Sequence, residues 1–354
     1  MGFQFVVVED RTHFCSHPEN WFVRLVAMLK PKASRIVLQR SAFICSLLTA
    51  ANSSYADHGP GTSGGGSATQ SGETMKPGKF AVELREDFTE FEHLSNAEIV
   101  WKAFRAGDID LLDRSFIESV SVSYGVIEDF QVGMTIGYYQ AVNSKAAEFD
   151  PTTGVTSLST SNPDGLTDLW INAKYRFYHG PIGSLAVIGG IKIPTGRSKV
   201  LDSTGASLEP SATAGSGAYD GMLGLAFSRF ITAQLTIDSS FQYTIRGGAQ
   251  DFKLGDRIDG GVALAYRLTK DIKSYPQLSV FGEANVRYLF KSEDAGVLAP
   301  NTGGTALFLT PGFRASFNQN FSFTAAAPLP VLQSLNGEQL KTAYKISAAL
   351  TASF

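Results

Sequence analysis

The chain is predicted to be all-β, a transmembrane antiparallel up-and-down barrel of about 12 strands with one short helix in its first external loop. Three observations predict it: apolar residues alternate with period two through most of the chain, connections alternate between short and long, and an export-type segment precedes the alternating region. The composition agrees. Of 354 residues 44% are hydrophobic and 18% charged, with 35 Gly and an aromatic set dominated by 25 Phe and 12 Tyr. No run of some twenty apolar residues has the flanks of a spanning helix, so a helical membrane protein is not expected.

The N-terminal region carries the marks of export and processing. Residues 1–27 do not fit a signal and are read as an upstream extension. From Met28 the chain passes through Lys30, Lys32, Arg35 and Arg40, an apolar stretch over 41–50, and small residues ending at Ala56. Basic, then apolar, then small is the order of a secretory signal, which places cleavage after Ala56. Both cysteines, Cys15 and Cys45, lie upstream of that point, so disulfide and thiolate chemistry are excluded from the mature chain. Removing residues 1–56 takes away six of the 30 basic and three of the 33 acidic groups, leaving a formal charge of −6. No clustered basic face calls for nucleic acid. Residues 57–78, rich in Gly, Ser and Thr without apolar periodicity, read as a flexible periplasmic lead-in, and whether they enter the lumen is left open by the sequence. Their glycines lack the G-K-[ST] ending of a phosphate loop.

The barrel occupies 79–354. In Ala233 to Arg246 one parity carries Ala233, Leu235, Ile237, Phe241, Tyr243 and Ile245, while the other carries Gln234, Thr236, Asp238, Gln242 and Arg246. A barrel strand must show lipid and lumen in turn, and a helix would scatter these sets. The pattern recurs at about 79–92, 114–126, 129–142, 166–178, 184–194, 218–229, 232–246, 256–268, 276–291, 305–317, 320–329 and 343–354. Links at 127–128, 179–183, 230–231, 269–275 and 318–319 are short, and those between are generally longer. Short periplasmic turns and long external loops put both termini in the periplasm and the chain in the bacterial outer membrane.

Aromatic residues mark both ends: Tyr124, Phe130, Phe177, Phe227, Tyr266, Phe317 and Phe321 toward the short turns, Tyr138, Tyr243, Tyr288 and Tyr344 toward the loops. Phe354 ends an alternating strand and resembles the signal read by barrel-insertion machinery. That machinery, membrane lipid and a small-molecule solute are the expected partners. In the first loop, Ser95 and Glu98 form a capping box ahead of Ile99, Ala103 and Ala106, which predicts a helix over 95–106. It is expected at the surface, with the barrel mouth or lumen as alternatives. The loops 143–165 and 195–217 are expected to be mobile.

Opposite the apolar parity stand Glu83, Arg85, Asp87, Asp168, Lys174, Arg176, Lys192, Asp220, Asp238, Arg246, Asp259, Arg267, Glu283, Arg287, Arg314 and Lys345, the candidate lumen lining. Two readings are open: a permeation path that selects solutes by charge, or a mutually satisfied ion-pair network filling a narrow barrel. Catalysis is not expected. The mature chain's histidines are His58, His93 and His179, none placed mid-strand beside a serine it could activate. No cofactor is implied, and so few histidines argue against a metal site. A channel is the leading function, with a plugged structural or adhesion barrel acting through its loops as the alternative and a barrel hydrolase behind both.

The stretch Asp164-Gly-Leu-Thr-Asp-Leu-Trp-Ile-Asn-Ala-Lys-Tyr-Arg-Phe177, the strand end Lys192-Ile-Pro-Thr-Gly196 and the strand start Gly215-Ser-Gly-Ala-Tyr-Asp220 resemble the family named for a MetA pathway of phenol degradation. The resemblance covers about 115–290 best. It implies an outer-membrane barrel with a transport role and brings no site residues; aromatic or hydrophobic small molecules are implied by the family's name alone.

Overall fold

In the computed structural model of the chain, the described residues are 66–354 except 206 and 272. The upstream extension, the signal and residues 57–65 lie outside them. Twelve antiparallel strands close into a barrel: β1 (Phe80–Phe91), β2 (Asp108–Ile127), β3 (Phe130–Asp150), β4 (Leu169–Gly180), β5 (Gly183–Ile193) and β6 (Asp220–Phe230) form one half. The other half is β7 (Leu235–Arg246), β8 (Arg257–Arg267), β9 (Gln277–Leu289), β10 (Gly304–Ser316), β11 in two segments (Phe321–Ala326 and Leu329–Leu335) and β12 (Thr342–Ser353). Each pairs with its neighbours in sequence, and β1 pairs with β12 from Ala81↔Ser353 to Phe91↔Thr342, so no edge is left open.

Parity decides which side chains meet lipid. Leu223, Leu225, Phe241, Val262, Leu264, Val280 and Phe313 are exposed on the outer face. Asp238, Glu283, Thr244, Thr310 and Thr351 are almost completely buried inside. Such an inside-out distribution is stable only where the outside is hydrocarbon. Leu225→Arg, near the middle of β6, is therefore expected to cost about 2–4 kcal/mol, read as a lowered urea midpoint in lipid vesicles. An unchanged midpoint would mean that this face does not meet lipid.

Short turns at 128–129, 181–182, 231–234, 268–276 and 317–320 share one end of the barrel, here the turn end, with Phe80 and Phe354. The rings of Phe80 and Phe354 stack at 5.0 Å, and Phe321 meets Phe354 edge-on at 6.2 Å. At the loop end Phe88 packs on Phe116 and Tyr344, and Tyr243 and Tyr288 pack on Phe290. Tyr138 and Tyr243 donate hydroxyl hydrogen bonds to the loop carboxylates Asp164 and Asp256. These are the two aromatic girdles.

The strands and the first loop depart from the sequence reading in three places. β2 and β3 run on as a paired ribbon to Asp108 and Asp150, and Val155–Ser161 pairs back on β3, so much of the 143–165 loop is strand. Beyond the bilayer the outer face of the ribbon meets water in place of lipid, which erases the apolar alternation. The eleventh strand breaks at 327–328 and resumes to Leu335, because Pro328 and Pro330 have no N–H for the ladder. The helix α1 (Asn96–Ala106) carries the expected Ser95/Glu98 capping box, but it is packed in rather than lying free on the surface. Ile99 and Ala103 bury against Ile109, Leu111 and Ala147, on the inner face of the β2–β3 ribbon. Lys102 and Arg105 pair with Glu338 in the last loop, and Ala106 accepts a hydrogen bond from Asn301 in the loop before β10.

Candidate functional site: the barrel lumen

Residues 66–78 answer a question that the sequence left open, whether the lead-in enters the lumen. They do not form a lead-in outside the barrel; they run along the inside of its turn half and join β1 at the wall. Backbone amides, which composition does not display, hold them there. Glu283, halfway along β9, accepts hydrogen bonds from the N–H groups of Ser67, Ala68 and Thr69 and from the Thr69 hydroxyl at 2.9 Å. Gly66 passes so close that a Cβ would lie 1.9 Å from the Glu283 carboxyl carbon, so a larger residue would force the Glu283 side chain to shift. Arg85 donates to the Ser67 carbonyl at 2.7 Å, and Lys174 to the carbonyls of Ser71 and Glu73.

Further down, Ser228 bonds Ser71 Oγ and Gly72 N, and Gln131 accepts from Met75 N at 2.9 Å. Gly72 faces the backbones of Ser184 and Ser228, which a Cβ would meet at 2.6 and 2.9 Å. Glu73 anchors the base: its carboxylate pairs with Arg176 at 2.6 Å and accepts from Ser184 at 2.6 Å, while Arg176 also pairs with Asp129 at 2.5 Å. His179, at the turn end of β4 and not mid-strand, has its Nδ1 2.7 Å from the Ser184 hydroxyl, a contact that the sequence reading did not give. The order is histidine, serine, carboxylate. Glu73 therefore orients the serine and not the imidazole, the reverse of a catalytic triad.

The sixteen candidates separate into groups. Glu283, Arg85, Lys174 and Arg176 hold the internal segment. Asp238 bonds Ser228 and Glu83 accepts from Thr351, both at the wall beside it. Arg314 reaches Thr324 and stands over Phe281. Asp168, Lys192 and Asp220 form a buried clamp at the loop end. Lys192 pairs with Asp220 at 2.7 Å and Asp168 at 3.3 Å, while Asp168 accepts from Gly196 N and Ser216 N, both at 2.9 Å. The three sequence motifs thus meet in one place, and they tie the two ends of the 194–219 loop together. Arg267 is not on a path through the lumen: it sits at the turn end and donates to the Ala233 carbonyl at 2.6 Å.

Asp87, Asp259, Arg287 and Lys345 line a chamber of about 390 Å³ above the internal segment. Arg85 forks onto Asp87, at 2.7 and 2.8 Å; Arg287 and Arg257 share Asp259, at 2.7 and 2.6 Å. Arg246 stands opposite Asp220 in the β6–β7 register and also faces the lumen. Nearer the mouth a second cavity of about 510 Å³ is lined by Ile109, Leu111, Tyr139, Phe252, Leu298 and Leu340, with Glu338 and Asp294 among its polar groups. Sequence reasoning missed Glu73 in the segment and Ser184 and Ser228 in its cradle. It also missed Arg257, although Arg257 shares the inward parity of Asp259.

Fold and lumen together define a membrane-spanning β-barrel that carries part of its own chain inside. The chain belongs to the family described as "Putative MetA-pathway of phenol degradation", which matches residues 122–329. No curated protein matches the sequence. Among solved structures, the COG4313 outer membrane channel from Pseudomonas putida F1 is similar in fold, with a TM-score of 0.52 and 11% identity over 80% of this chain and 97% of that one. The KdgM porin (TM-score 0.41, 8% identity, covering 77% and 99%) and LpxR from Salmonella typhimurium (0.40, 9%, covering 77% and 99%) are fainter likenesses that carry no argument.

Proposed function

We propose that this protein passes small molecules across the bacterial outer membrane, and that residues 66–78 close the passage and move aside to open it. In this reading a signal ending at Ala56 exports the chain, and the turn end with both termini faces the periplasm. The observation that carries it is the way the segment is held. A twelve-stranded barrel has room between the filled lumen of eight strands and the open pore of sixteen, and here the turn half is occupied by a polar segment on hydrogen bonds. Water can replace such bonds one by one, so each is worth only about 0.5–3 kcal/mol net. Interlocked apolar packing would make a permanent core instead. The apolar residues around the outer cavity, with the family's description, favour aromatic or hydrophobic solutes.

The test is a reversible lock. Ser71 and Ser228 have their hydroxyl oxygens 2.9 Å apart, so Ser71→Cys with Ser228→Cys is expected to form a disulfide that pins the segment. Single-channel recording of the exported protein in a planar bilayer should show openings under reducing conditions and none after oxidation. Folded, reduced protein that neither conducts nor admits solute would sink the proposal.

A further inference from the structure

We propose that the chamber above the internal segment selects small anions with an aromatic or apolar body, such as aromatic carboxylates and sulfonates. This rests on the passage reading and deepens it by naming the solute class. The chamber's charged lining is Arg85, Arg257, Arg287 and Lys345 against Asp87 and Asp259, four cations to two carboxylates. Arg85 and Asp87 satisfy each other, whereas Asp259 is divided between two guanidiniums. Lys345 makes no salt bridge among the described residues; its ammonium lies 5.1 Å from the centre of the Phe308 ring.

The imbalance lies in a confined space with low-dielectric walls. There an uncompensated cation attracts an anion more strongly than it would in bulk water. Arg287 is nearly half exposed, its side chain at 44%, so its guanidinium is open to the chamber while its Nε holds Asp259. A planar anion entering here would meet the guanidinium forks with its charged end and the Phe308 face with its body. The apolar outer cavity suits the same molecule from the other direction, since it would take the ring first. An inorganic anion shares only the charge and gains nothing from Phe308 or the outer cavity.

The experiment measures influx into proteoliposomes of three probes that cross lipid slowly: benzenesulfonate, benzyltrimethylammonium and arabinose. The full exported chain is compared with Lys345→Gln/Arg287→Gln, and folding of each is checked by heat-modifiable migration. Benzenesulfonate is expected to enter at least about tenfold faster than benzyltrimethylammonium. In the double variant that preference should fall to near unity while arabinose still enters. Arabinose entry together with equal influx of the two ions, or faster benzyltrimethylammonium, would overturn the anion inference and leave the passage standing. A preference that survives in the folded double variant would overturn it too. Exclusion of all three probes would overturn both. Chloride competing as well as benzenesulfonate at equal concentration would remove the aromatic part of the proposal.

Discussion

Glu283→Ala is expected to turn a mostly closed barrel into a mostly open one while leaving the barrel itself folded. The substitution removes the acceptor for three consecutive backbone N–H groups and for the Thr69 hydroxyl. Hydrogen bonds to a charged group contribute about 1.5–3 kcal/mol each and are not additive, so a loss of about 3 kcal/mol is a conservative figure. That shifts the closed-to-open ratio roughly a hundredfold, since 1.4 kcal/mol is a factor of ten. The strands keep their full ladders, because Glu283 contributes only its side chain to the lumen. Glu283→Gln retains one acceptor oxygen and should fall between wild type and alanine. Single-channel open probability is the measurement; an Ala variant that is folded and no more open than wild type would show that the Glu283 bonds do not keep the segment in place.

Asp168→Ala should produce the largest loss of stability, about 3–5 kcal/mol, the cost of breaking a buried ion pair by removing one partner. Lys192 would keep Asp220 but lose its second carboxylate, and the amides of Gly196 and Ser216 would lose their acceptor. Both ends of the 194–219 loop are tied through these bonds, so the loop should also become open to protease. Urea unfolding in vesicles reports the first effect and limited proteolysis the second. Wild-type behaviour in both would reduce the clamp to a surface-like pair worth no more than about 1 kcal/mol.

The strands were legible because lipid enforces a strict period: Leu225 and Phe241 must face out if Ala226 and Gln242 face in. The same parity placed Lys174, Asp238 and Glu283 in the lumen without any alignment. What the sequence hid is the occupant. A run such as Ser67-Ala-Thr-Gln-Ser-Gly72 has no period, and a solvated linker has the same composition; its binding to the wall uses main-chain groups that every residue possesses. Only the wall hinted at it. Glu283 and Lys174 sit mid-strand with no register partner of opposite charge, and such buried charges need partners from somewhere. The motif residues Asp168, Lys192 and Asp220 form a mutual clamp, in line with the ion-pair reading that the sequence left open for the lumen charges.

The internal segment runs without a break into β1, since Gly78 already bonds Gly125 at the wall and Phe80 begins the strand. In the gating proposed above, re-entry of the segment is therefore a unimolecular event. A short tether holds the displaced segment at an effective concentration on the order of millimolar, whatever the abundance of the protein in the membrane. Dilution cannot wash it out, and a free peptide of the same sequence would compete only near that concentration. Under that proposal each opening is self-terminating, with a duration set by how far the tether lets the segment swing and not by the arrival of a second molecule.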